Sequence, residues 1–493
     1  MIGSTWLTRI QCVLGIAILL IKPARPEGNI PYVSLLGDSL LFYEAQRSGK
    51  LPADNRIPWR HDSALDDGNS SGIDLSGGYY DAGDYVKFLL PLSYTVTVLC
   101  WGGLEFFKGY TIANEEKHFH DMIKWATDWI IKAHPTPNEL YVQVGQGDID
   151  HQYWGSDLNI PSPRPSFKID LNRRGTDVAA ETAAACAAAA ILFKEKYADS
   201  KYSDTLLEHA KDLLRFAEVQ PWVRYHESVP EAADFYGSGG YGDELCWGNL
   251  WLYRATNDVA YLERAKLYFT LFSLEGRNSP FNWNQKSPGI YVLFAQLIQG
   301  SPGLAWRNIS EAWLDNVLGG TGDLEKTKGG LIWFKNTSEQ ASTGPALTAA
   351  LLMHIYANSV LAVSGASSAE GKRSSYDAFG NQQLDYILGN NPMKMPYVLD
   401  IHPNSPHNAH HAGAHGGADF KSMDNPFEND HRLVGAVVGG PNKEDQYLDN
   451  RQDYSQSEVA LDYNAAFQSL VARQVIFSEV DPFYTRVGAY ERR

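Results

Sequence analysis

The sequence predicts an all-α protein: a single domain in which a ring of helical hairpins carries long loops that form a cleft at one end. Three observations predict this fold. Segment after segment has apolar residues at helical spacing, and few segments show the period-two alternation of strands. Connections rich in glycine, proline and aromatic residues separate the helical segments. No linker or low-complexity tract divides the 493 residues, and 44% of them are hydrophobic, so one large core can form.

The helical segments follow one another along the whole chain. Asn114 precedes one of them and Asn257-Asp258 precedes another, as residues that cap helix N-termini do. The alanine-rich run 181–192 predicts an inner helix whose neighbours approach closely, although helix propensity alone also explains it. The predicted helices cover residues 94–107, 115–133, 177–197, 203–219, 244–255, 259–272, 289–299, 310–318, 346–363, 375–388 and 458–477.

The N-terminus has the pattern of a secretory signal. Arg9 precedes the apolar run 10–21, which is short for a membrane span, and a polar stretch with prolines follows at 22–28. We therefore expect a signal peptide at residues 1–27, a catalytic domain at 28–493 and a secreted, extracellular protein free of the membrane after cleavage. The alternative is an uncleaved anchor.

The charge balance of the chain limits the classes of ligand that we expect it to bind. The chain has 42 lysines and arginines and 58 aspartates and glutamates, a net charge of −16, which argues against nucleic acid and suits a neutral or cationic ligand. Cys100, Cys186 and Cys246 lie among apolar or helical residues, so we expect buried thiols and no disulfide framework. N-glycosylation sequons at Asn69, Asn308 and Asn336 would make a secreted form a glycoprotein.

The first motif that can carry chemistry is YYDAGD at residues 79–84. It places Asp81 and Asp84 three positions apart on a glycine-containing turn, which can aim both carboxylates into one small volume. Two such carboxylates can hold and deprotonate a water molecule, which is half of what an inverting glycosidase needs. Glu458 is the candidate for the other half, a carboxylic acid. The alternative for an Asp-x-x-Asp pair is a cap or a turn former.

A second stretch, residues 435–472, gives these carboxylates a context. It is similar to the second signature of glycoside hydrolase family 9, through residues in a fixed order: Tyr447, Asp449, Tyr454, Glu458, Ala460, Asn464 and Ala465. Further stretches resemble the animal cellulase branch of that family, at 42–101, 150–155, 167–193, 243–258 and 384–393. The resemblance extends from about residue 35 to about residue 475.

The resemblance implies a toroid of six helical hairpins, an (α/α) barrel, that hydrolyses β-1,4-glucans with inversion. Asp84 matches the general base, Asp81 its partner in holding the attacking water, and Glu458 the general acid, whose pKa must be raised. Asp449 would orient nearby residues or a sugar hydroxyl, or else brace its loop. The chemistry requires no cofactor, and we expect a monomer whose partner is a β-glucan.

Aromatic and histidine side chains are expected along the glycan cleft. His151, Tyr153 and Trp154 match a family segment that lines it, although Trp154 could instead pack in the core. His410 and Tyr454 are further candidates for substrate contact. Trp247 lies on a predicted helix, and we assign it to the core.

The resemblance also suggests a structural calcium. Residues 238–244 match a loop that binds calcium in some family members, with Gly239, Asp243 and Glu244 as candidate oxygen ligands. An aspartate that adds a ligand in some relatives corresponds here to Asn284. The alternative is that Asp243 and Glu244 form the charged first turn of the next helix.

The chain departs from the family where sugar should bind. The His-x-Arg of the first signature corresponds to His410, His411 and Ala412, so its arginine is missing, and a glycine of that signature corresponds to His402. A substrate-facing tryptophan and arginine correspond to Thr337 and Ala341. A run of five histidines invites a transition-metal site, but its spacing matches no standard zinc pattern and favours a solvated loop: His402, His407, His410, His411 and His415.

The sequence therefore predicts a secreted inverting endo-β-1,4-glucanase with altered subsites near the cleavage point. One alternative is a non-hydrolytic or weakly active glycan-binding protein on the same scaffold, which the absent arginine favours. Another is a hydrolase of a different β-glycan. Release of reducing ends, as opposed to binding alone, distinguishes the first two.

Overall fold

The computed structural model describes residues 30–363, 367–416 and 422–489, so the predicted signal peptide at 1–27 lies outside the described residues. In those ranges the chain forms twelve long helices, with short helical turns between some of them. They are α1 (Ile30–Ala45), α2 (Leu89–Ala113), α3 (Glu116–Ala133), α4 (Thr176–Lys196), α5 (Ser200–Glu218), α6 (Gly242–Thr256), α7 (Val259–Leu271), α8 (Ser287–Leu297), α9 (Leu304–Gly319), α10 (Thr343–Tyr356), α11 (Ser367–Ile387) and α12 (Leu461–Phe477).

The even-numbered helices form a closed inner ring. Each packs against the next in the order α2, α4, α6, α8, α10 and α12, and α12 returns to α2. Each odd-numbered helix packs on the outside of one inner helix, and α1 pairs with α12, so the two ends of the domain make the sixth hairpin. The predicted all-α fold of six hairpins is confirmed.

Burial explains which helices are inside. The inner helices are apolar on nearly all faces, and α2 and α4 are long and apolar enough to cross a membrane, yet both are almost entirely buried within the ring. Outer helices such as α3 and α5 bury one face and expose charged residues on the other. Cys100, Cys186, Cys246 and Trp247 are fully buried, as expected.

Most predicted helices are found with shifted ends, and three differences have a clear physical cause. The sequence analysis missed α1, whose apolar residues surround it on most sides instead of following a clear stripe. Gly344 and Pro345 do not delay α10, because a proline in a first turn loses no hydrogen bond that the helix would make. Glu458 lies outside α12 in an extended conformation (φ −70°, ψ 146°), and the helix begins three residues later at Leu461.

Two small antiparallel sheets lie among the loops. Strands β1 (Lys87–Phe88), β2 (Glu139–Val144) and β3 (Ser166–Asp170) form one sheet in that order, with Lys87 opposite Val144 and Glu139 opposite Asp170. Strands β4 (Leu324–Lys326) and β5 (Ile332–Phe334) form the other.

The first turns of the inner helices meet at one end of the ring. The ammonium of Lys286, just before α8, lies 3.2 Å from a carboxylate oxygen of Glu244 in α6 and 3.5 Å from one of Glu181 in α4. The backbone N–H of Leu461, the first residue of α12, donates to the carbonyl of Asp81 (3.0 Å) in the loop that leads to α2. The loops that lead into the inner helices therefore converge at this end of the ring, and the loop of Asp81 is one of them.

Close approach of α2 and α12 predicts a sensitive position. A Cβ at Gly109 of α2 would lie 2.1 Å from the backbone oxygen of Ala472 in α12, so Gly109→Ala must push the helices apart. We expect the free energy of unfolding to fall by about 1–3 kcal/mol in chemical denaturation. Gly371→Ala in α11, which has open space around it, is the control and should not destabilise the protein. Equal stability of the Gly109 variant and the wild type would contradict this packing.

Candidate active site

The loop of Asp81 and Asp84 is held between two distant parts of the chain. The carbonyl of Gly83 accepts from the N–H of Ala412 (2.7 Å), and the N–H of Gly83 donates to the carboxylate of Glu458 (3.3 Å). Gly83 has no room for a side chain, since a Cβ there would lie 2.2 Å from the backbone oxygen of His410. The structure thus brings Asp81, Asp84 and Glu458 together, as the sequence predicts.

Asp84 is the more accessible of the two aspartates. One of its oxygens accepts from the N–H of Val86 (3.0 Å) and the other from Nε2 of His151 (2.9 Å). The Asp84 side chain is 20% exposed and that of His151 is 50% exposed, so this pair faces the solvent side of the site. The hydrogen bond to Asp84 raises the pKa of His151.

Asp81 is buried beneath Asp84. The hydroxyl of Tyr236 donates to one of its oxygens, and the other is buried with no hydrogen-bond partner in the described structure. Burial raises the pKa of Asp81 well above its usual range, and the carboxyls of Asp462, Asp84 and Glu458 add to the effect. A buried acceptor that lacks a protein donor can hold a water molecule.

Glu458 lies in an environment that favours its protonated form. Burial and the nearby charge of Asp84 raise the pKa of Glu458 to about 8, although the Gly83 N–H opposes the shift. The pKa values of two neighbouring carboxyls are raised as well. The pKa of Asp150 rises to about 7 through burial and Asp84, and that of Asp462 rises to about 7 through burial.

A buried hydrogen-bond chain supports the Asp81 loop from below. Nδ1 of His411 accepts from the N–H of Ala414 (2.9 Å), so Nε2 carries the proton and donates to the side-chain oxygen of Gln46 (2.8 Å). The amide of Gln46 then donates to the carbonyl of Ala82 (2.7 Å), between the two aspartates. Burial lowers the pKa of His411 well below its usual value, which keeps the ring neutral for this chain.

The predicted cleft residues surround His410. Nδ1 of His410 donates to the carbonyl of Arg451 (2.6 Å), which leaves Nε2 as an acceptor, and burial lowers the pKa of the ring. Its ring lies 4.7 Å from that of Trp154 and 6.2 Å from that of Tyr454 between centroids. Tyr454 is 59% exposed, whereas Trp154 is 8% exposed. The ring of Tyr454 is therefore open to solvent, whereas Trp154 is buried against His410.

Tyr153 and Asp449 hold loops in place. The hydroxyl of half-buried Tyr153 donates to the carbonyl of Ser156 (2.5 Å). The carboxylate of Asp449 accepts from the N–H groups of His407 (3.1 Å) and Asn408 (2.9 Å). These contacts favour the loop-bracing alternative for Asp449 over a place among the reacting groups, and the role of Tyr153 in sugar contact stays a prediction.

The expectation of a solvated histidine loop is wrong, because His411 is 1% exposed and His415 is fully buried, and the other histidines of the run are partly buried. Nε2 of His402 contacts the carbonyl of Val487 (3.1 Å), and His407 pairs with Asp400 (2.8 Å). Within residues 30–363, 367–416 and 422–489, no group of three or more His, Cys, Asp or Glu side chains is placed to hold a metal ion. The arrangement favours structural and substrate-contact roles for these histidines.

The residues suggested for calcium do not fit that ion as they are placed. The N–H of Lys286 donates to the carboxylate of Asp243 (2.8 Å), the ammonium of Lys286 pairs with Glu244, and the Gly239 N–H donates to Asn284 Oδ1 (2.7 Å). The adjoining cavity, about 300 Å³, is also lined by two arginines, Arg224 and Arg277. Calcium takes six to eight oxygen ligands, so cations and donors at this place oppose it. Asp243 and Glu244 form the first turn of α6, as the alternative held.

Of the positions that depart from the family motif, Ala412 lies against the site, where its N–H donates to the carbonyl of Gly83 (2.7 Å). Ala412 is 1% exposed and belongs to an apolar cluster with Tyr80, Tyr85 and Trp154. Thr337 and Ala341 lie in the segment between β5 and α10, and Ala341 is 6% exposed. No charged side chain replaces the missing arginine at position 412 itself.

Sequence reasoning missed four residues of the site. Asp150 and Asp462 fall inside stretches already singled out, at DHQYWG and four residues beyond Glu458, so their position offered a signal. Gln46 also falls inside such a stretch, at 42–101, whereas Tyr236 offered no signal because its contact with Asp81 spans 155 positions.

Comparison with known proteins identifies the arrangement. The sequence profile described as Glycosyl hydrolase family 9 matches residues 32–471. The chain belongs to glycosyl hydrolase family 9. It is 42% identical to endoglucanase A of Bacillus pumilus, over 92% of this chain and 68% of that protein. It is 39% identical to endoglucanase 13 of Arabidopsis thaliana, over 91% and 95%.

Solved structures agree with the family. An endoglucanase from the termite Nasutitermes takasagoensis superposes with a TM-score of 0.82 at 41% identity, covering 90% of this chain and 98% of that one. Endoglucanase CelQ of Clostridium thermocellum, in complex with cellotriose, has a TM-score of 0.80 at 30% identity, covering 91% and 71%. The family 9 chain is therefore a glycoside hydrolase of the cellulase type, in a family that inverts configuration.

The raised pKa of Glu458 predicts how stability depends on pH. The folded protein holds this proton up to about pH 8, whereas the unfolded chain releases it near 4.5. Below pH 4.5 both states are protonated, so the free energy of unfolding should fall as pH rises from about 4.5 to 8. In Glu458→Gln this contribution vanishes, and the variant should gain about 1–3 kcal/mol over the wild type between pH 5 and 8 in urea titrations.

The matched control is Glu195→Gln, an exposed carboxylate in the last turn of α4. It should follow the wild type at every pH. A constant stability difference between Glu458→Gln and the wild type from pH 5 to 8 would show that the Glu458 carboxyl is not held protonated.

Proposed function

We propose that this family 9 chain is an endo-β-1,4-glucanase in which Asp84 is the general base, Asp81 helps to hold the attacking water and Glu458 is the general acid. The observation that carries the proposal is the difference between the surroundings of Glu458 and those of Asp84. Glu458 favours its protonated form, while both oxygens of Asp84 accept hydrogen bonds. A carboxyl held protonated beside a second carboxyl in a different environment is the pattern of an acid and a base.

The reaction would proceed in one displacement. Glu458 would protonate the glycosidic oxygen as the bond to the anomeric carbon breaks. Asp84 would take a proton from the water that attacks the opposite face of the sugar, so configuration inverts. The Asp81 oxygen that has no protein donor is the second point that would fix this water. Tyr236 would hold the other Asp81 oxygen in place.

The substrate we propose is a cellulose-type β-glucan bound along Tyr454, His410 and His151. CelQ of Clostridium thermocellum, a relative of the same fold, was crystallised with cellotriose. Exposed Tyr454 offers a face for a pyranose ring, and the free nitrogen of His410 can accept from a sugar hydroxyl. Alanine at 341 and 412 means that this chain binds the sugars next to the cleavage point with fewer charged donors.

We also propose that the enzyme is secreted and acts outside the cell as a monomer. The signal-like segment at 1–27 supports secretion. The three sequon asparagines, Asn69, Asn308 and Asn336, are exposed and accessible to glycosylation.

The second candidate is a glycan-binding protein without turnover, which the loss of arginine at position 412 favours. Charge-assisted hydrogen bonds contribute about 1.5–3 kcal/mol each, so losing two can weaken transition-state binding by orders of magnitude. The carboxyl set of Asp81, Asp84 and Glu458 favours the enzyme, because a binding protein needs no carboxyl held protonated beside two further carboxyls.

The experiment uses two substrates with different leaving groups. On carboxymethyl-cellulose, Asp84→Asn and Glu458→Gln should each reduce reducing-end release by about 10²–10⁴-fold. On 2,4-dinitrophenyl β-cellobioside, whose leaving group needs no proton, Glu458→Gln should keep most of its rate and Asp84→Asn should not.

Asp148→Asn, an exposed carboxylate in the short turn before His151, is the matched control and should retain activity. Near-wild-type turnover of either active-site variant on the polymer would refute the assigned roles. A folded wild-type protein that binds both substrates and cleaves neither would favour the binding protein.

A further inference from the structure

Phe427 is the most exposed of the large apolar side chains that the structure describes, at 85%. Keeping a phenylalanine in water forgoes about 1.5–3 kcal/mol of burial free energy. The residue lies on a polar loop, with Asn425 and Glu428 exposed beside it. Such an isolated ring in a polar setting is an ordinary surface feature unless its backbone is fixed toward something.

The backbone of Phe427 is fixed by a buried arginine. Arg451 is 4% exposed, and its guanidinium donates to the side-chain oxygen of Asn429 and to the carbonyls of Pro426 and Phe427. A buried guanidinium whose donors are directed at one loop makes that loop rigid.

The same loop is joined to the active-site histidine. The N–H of Asn429 donates to Asn408 (3.0 Å), and its amide donates to the carbonyl of Ala409 (3.1 Å). The carbonyl of Arg451 accepts from Nδ1 of His410 (2.6 Å). Arg451 therefore hydrogen-bonds to both Phe427 and His410 and connects the two residues.

The beginning of the loop lies against the wall of the site. Met423 packs against the cluster that contains Trp154 and Ala412, and Asp424 accepts from the side chain of Gln452. The loop thus runs from the place of the missing arginine, past His410, to Phe427. Tyr454, the other exposed ring of this region, contacts His410 from the α12 side.

We propose that Phe427 is a specificity-determining residue of the glycan cleft, whose ring stacks on a pyranose of the β-1,4-glucan beyond the sugars next to Asp84 and Glu458. The inference rests on the proposed function. The C–H face of a glucose ring complements an aromatic face, and the neighbouring Asn425 and Glu428 can bond its hydroxyls. One ring flanked by polar residues is too small for a protein interface, which buries about 800 Å² per partner.

This contact changes how the chain binds its substrate. This chain has alanines at positions 341 and 412, and Met423 packs against the cluster that contains Ala412. Stacking on Phe427 supplies binding energy farther along the glucan chain. The enzyme then prefers long substrates to short ones more strongly than an arginine-containing site does.

The test compares the kinetics of the intact enzyme on cellotriose and cellohexaose. Phe427→Ala should raise KM for cellohexaose by about threefold to tenfold, the size of one stacking contact, with kcat unchanged. KM for cellotriose should stay the same, because that substrate fills only the sites next to the carboxyls. Phe427→Trp should keep or lower KM for cellohexaose.

Leu267→Ala, 59% exposed on outer helix α7, is the control and should change neither KM. An unchanged KM for cellohexaose in Phe427→Ala overturns the proposal, and so does an equal rise for both substrates, which a general disturbance of the loop would cause. If the wild type cleaves neither substrate, the proposed function fails. In that case, calorimetric titration of cellohexaose into the wild type and Phe427→Ala measures the contribution of Phe427 to binding, independently of cleavage.

Discussion

The active site depends on the hydrogen bonds that seat the loop of Asp81 and Asp84 against the segment around Glu458. Gly83 bonds to Ala412 through its carbonyl and to Glu458 through its N–H, and Asp81 accepts from Leu461 at the start of α12. These partners are more than three hundred positions apart in sequence. Only a closed ring, in which α12 returns to α2, can hold them together.

The raised pKa of Glu458 depends on this position of the loop. Because Gly83 admits no side chain, Glu458 comes close enough to Asp84 for one negative charge to disfavour the other, and burial directs the proton to Glu458. The chain from His411 through Gln46 to Ala82 holds the loop from the buried side. A change at His411 or Gln46 would therefore act on the chemistry through the position of the two aspartates.

The sequence predicted most of the helices and the grouping of Asp81, Asp84 and Glu458 for identifiable reasons. Inner helices are apolar over many residues, and the signature around Glu458 is long enough to be specific. What it missed depends on contacts between distant segments: the bond from Tyr236 to Asp81, the brace through Gln46, and the loop that Arg451 holds. Helix α1 was missed because its burial against α12 is a tertiary effect that no periodicity reports.

The proposed change in substrate binding concerns positions away from the carboxyl set. Ala341 and Ala412 are buried, while Asp81, Asp84, Glu458 and His410 are present in the site. The structure therefore describes a cellulase-type site that would rely on aromatic contacts, through Tyr454 and Phe427, more than on charged ones. In the first turn of α6, the ammonium of Lys286 pairs with Glu244.

The stereochemistry of the first product tests the central claim most directly. Proton NMR of cellohexaose during the first minutes of cleavage distinguishes α from β reducing ends before they interconvert. If Asp84 activates water on the face opposite the leaving group, the new ends appear first as the α anomer. New ends that appear first as the β anomer would mean a covalent intermediate and would contradict the roles given to Asp84 and Glu458.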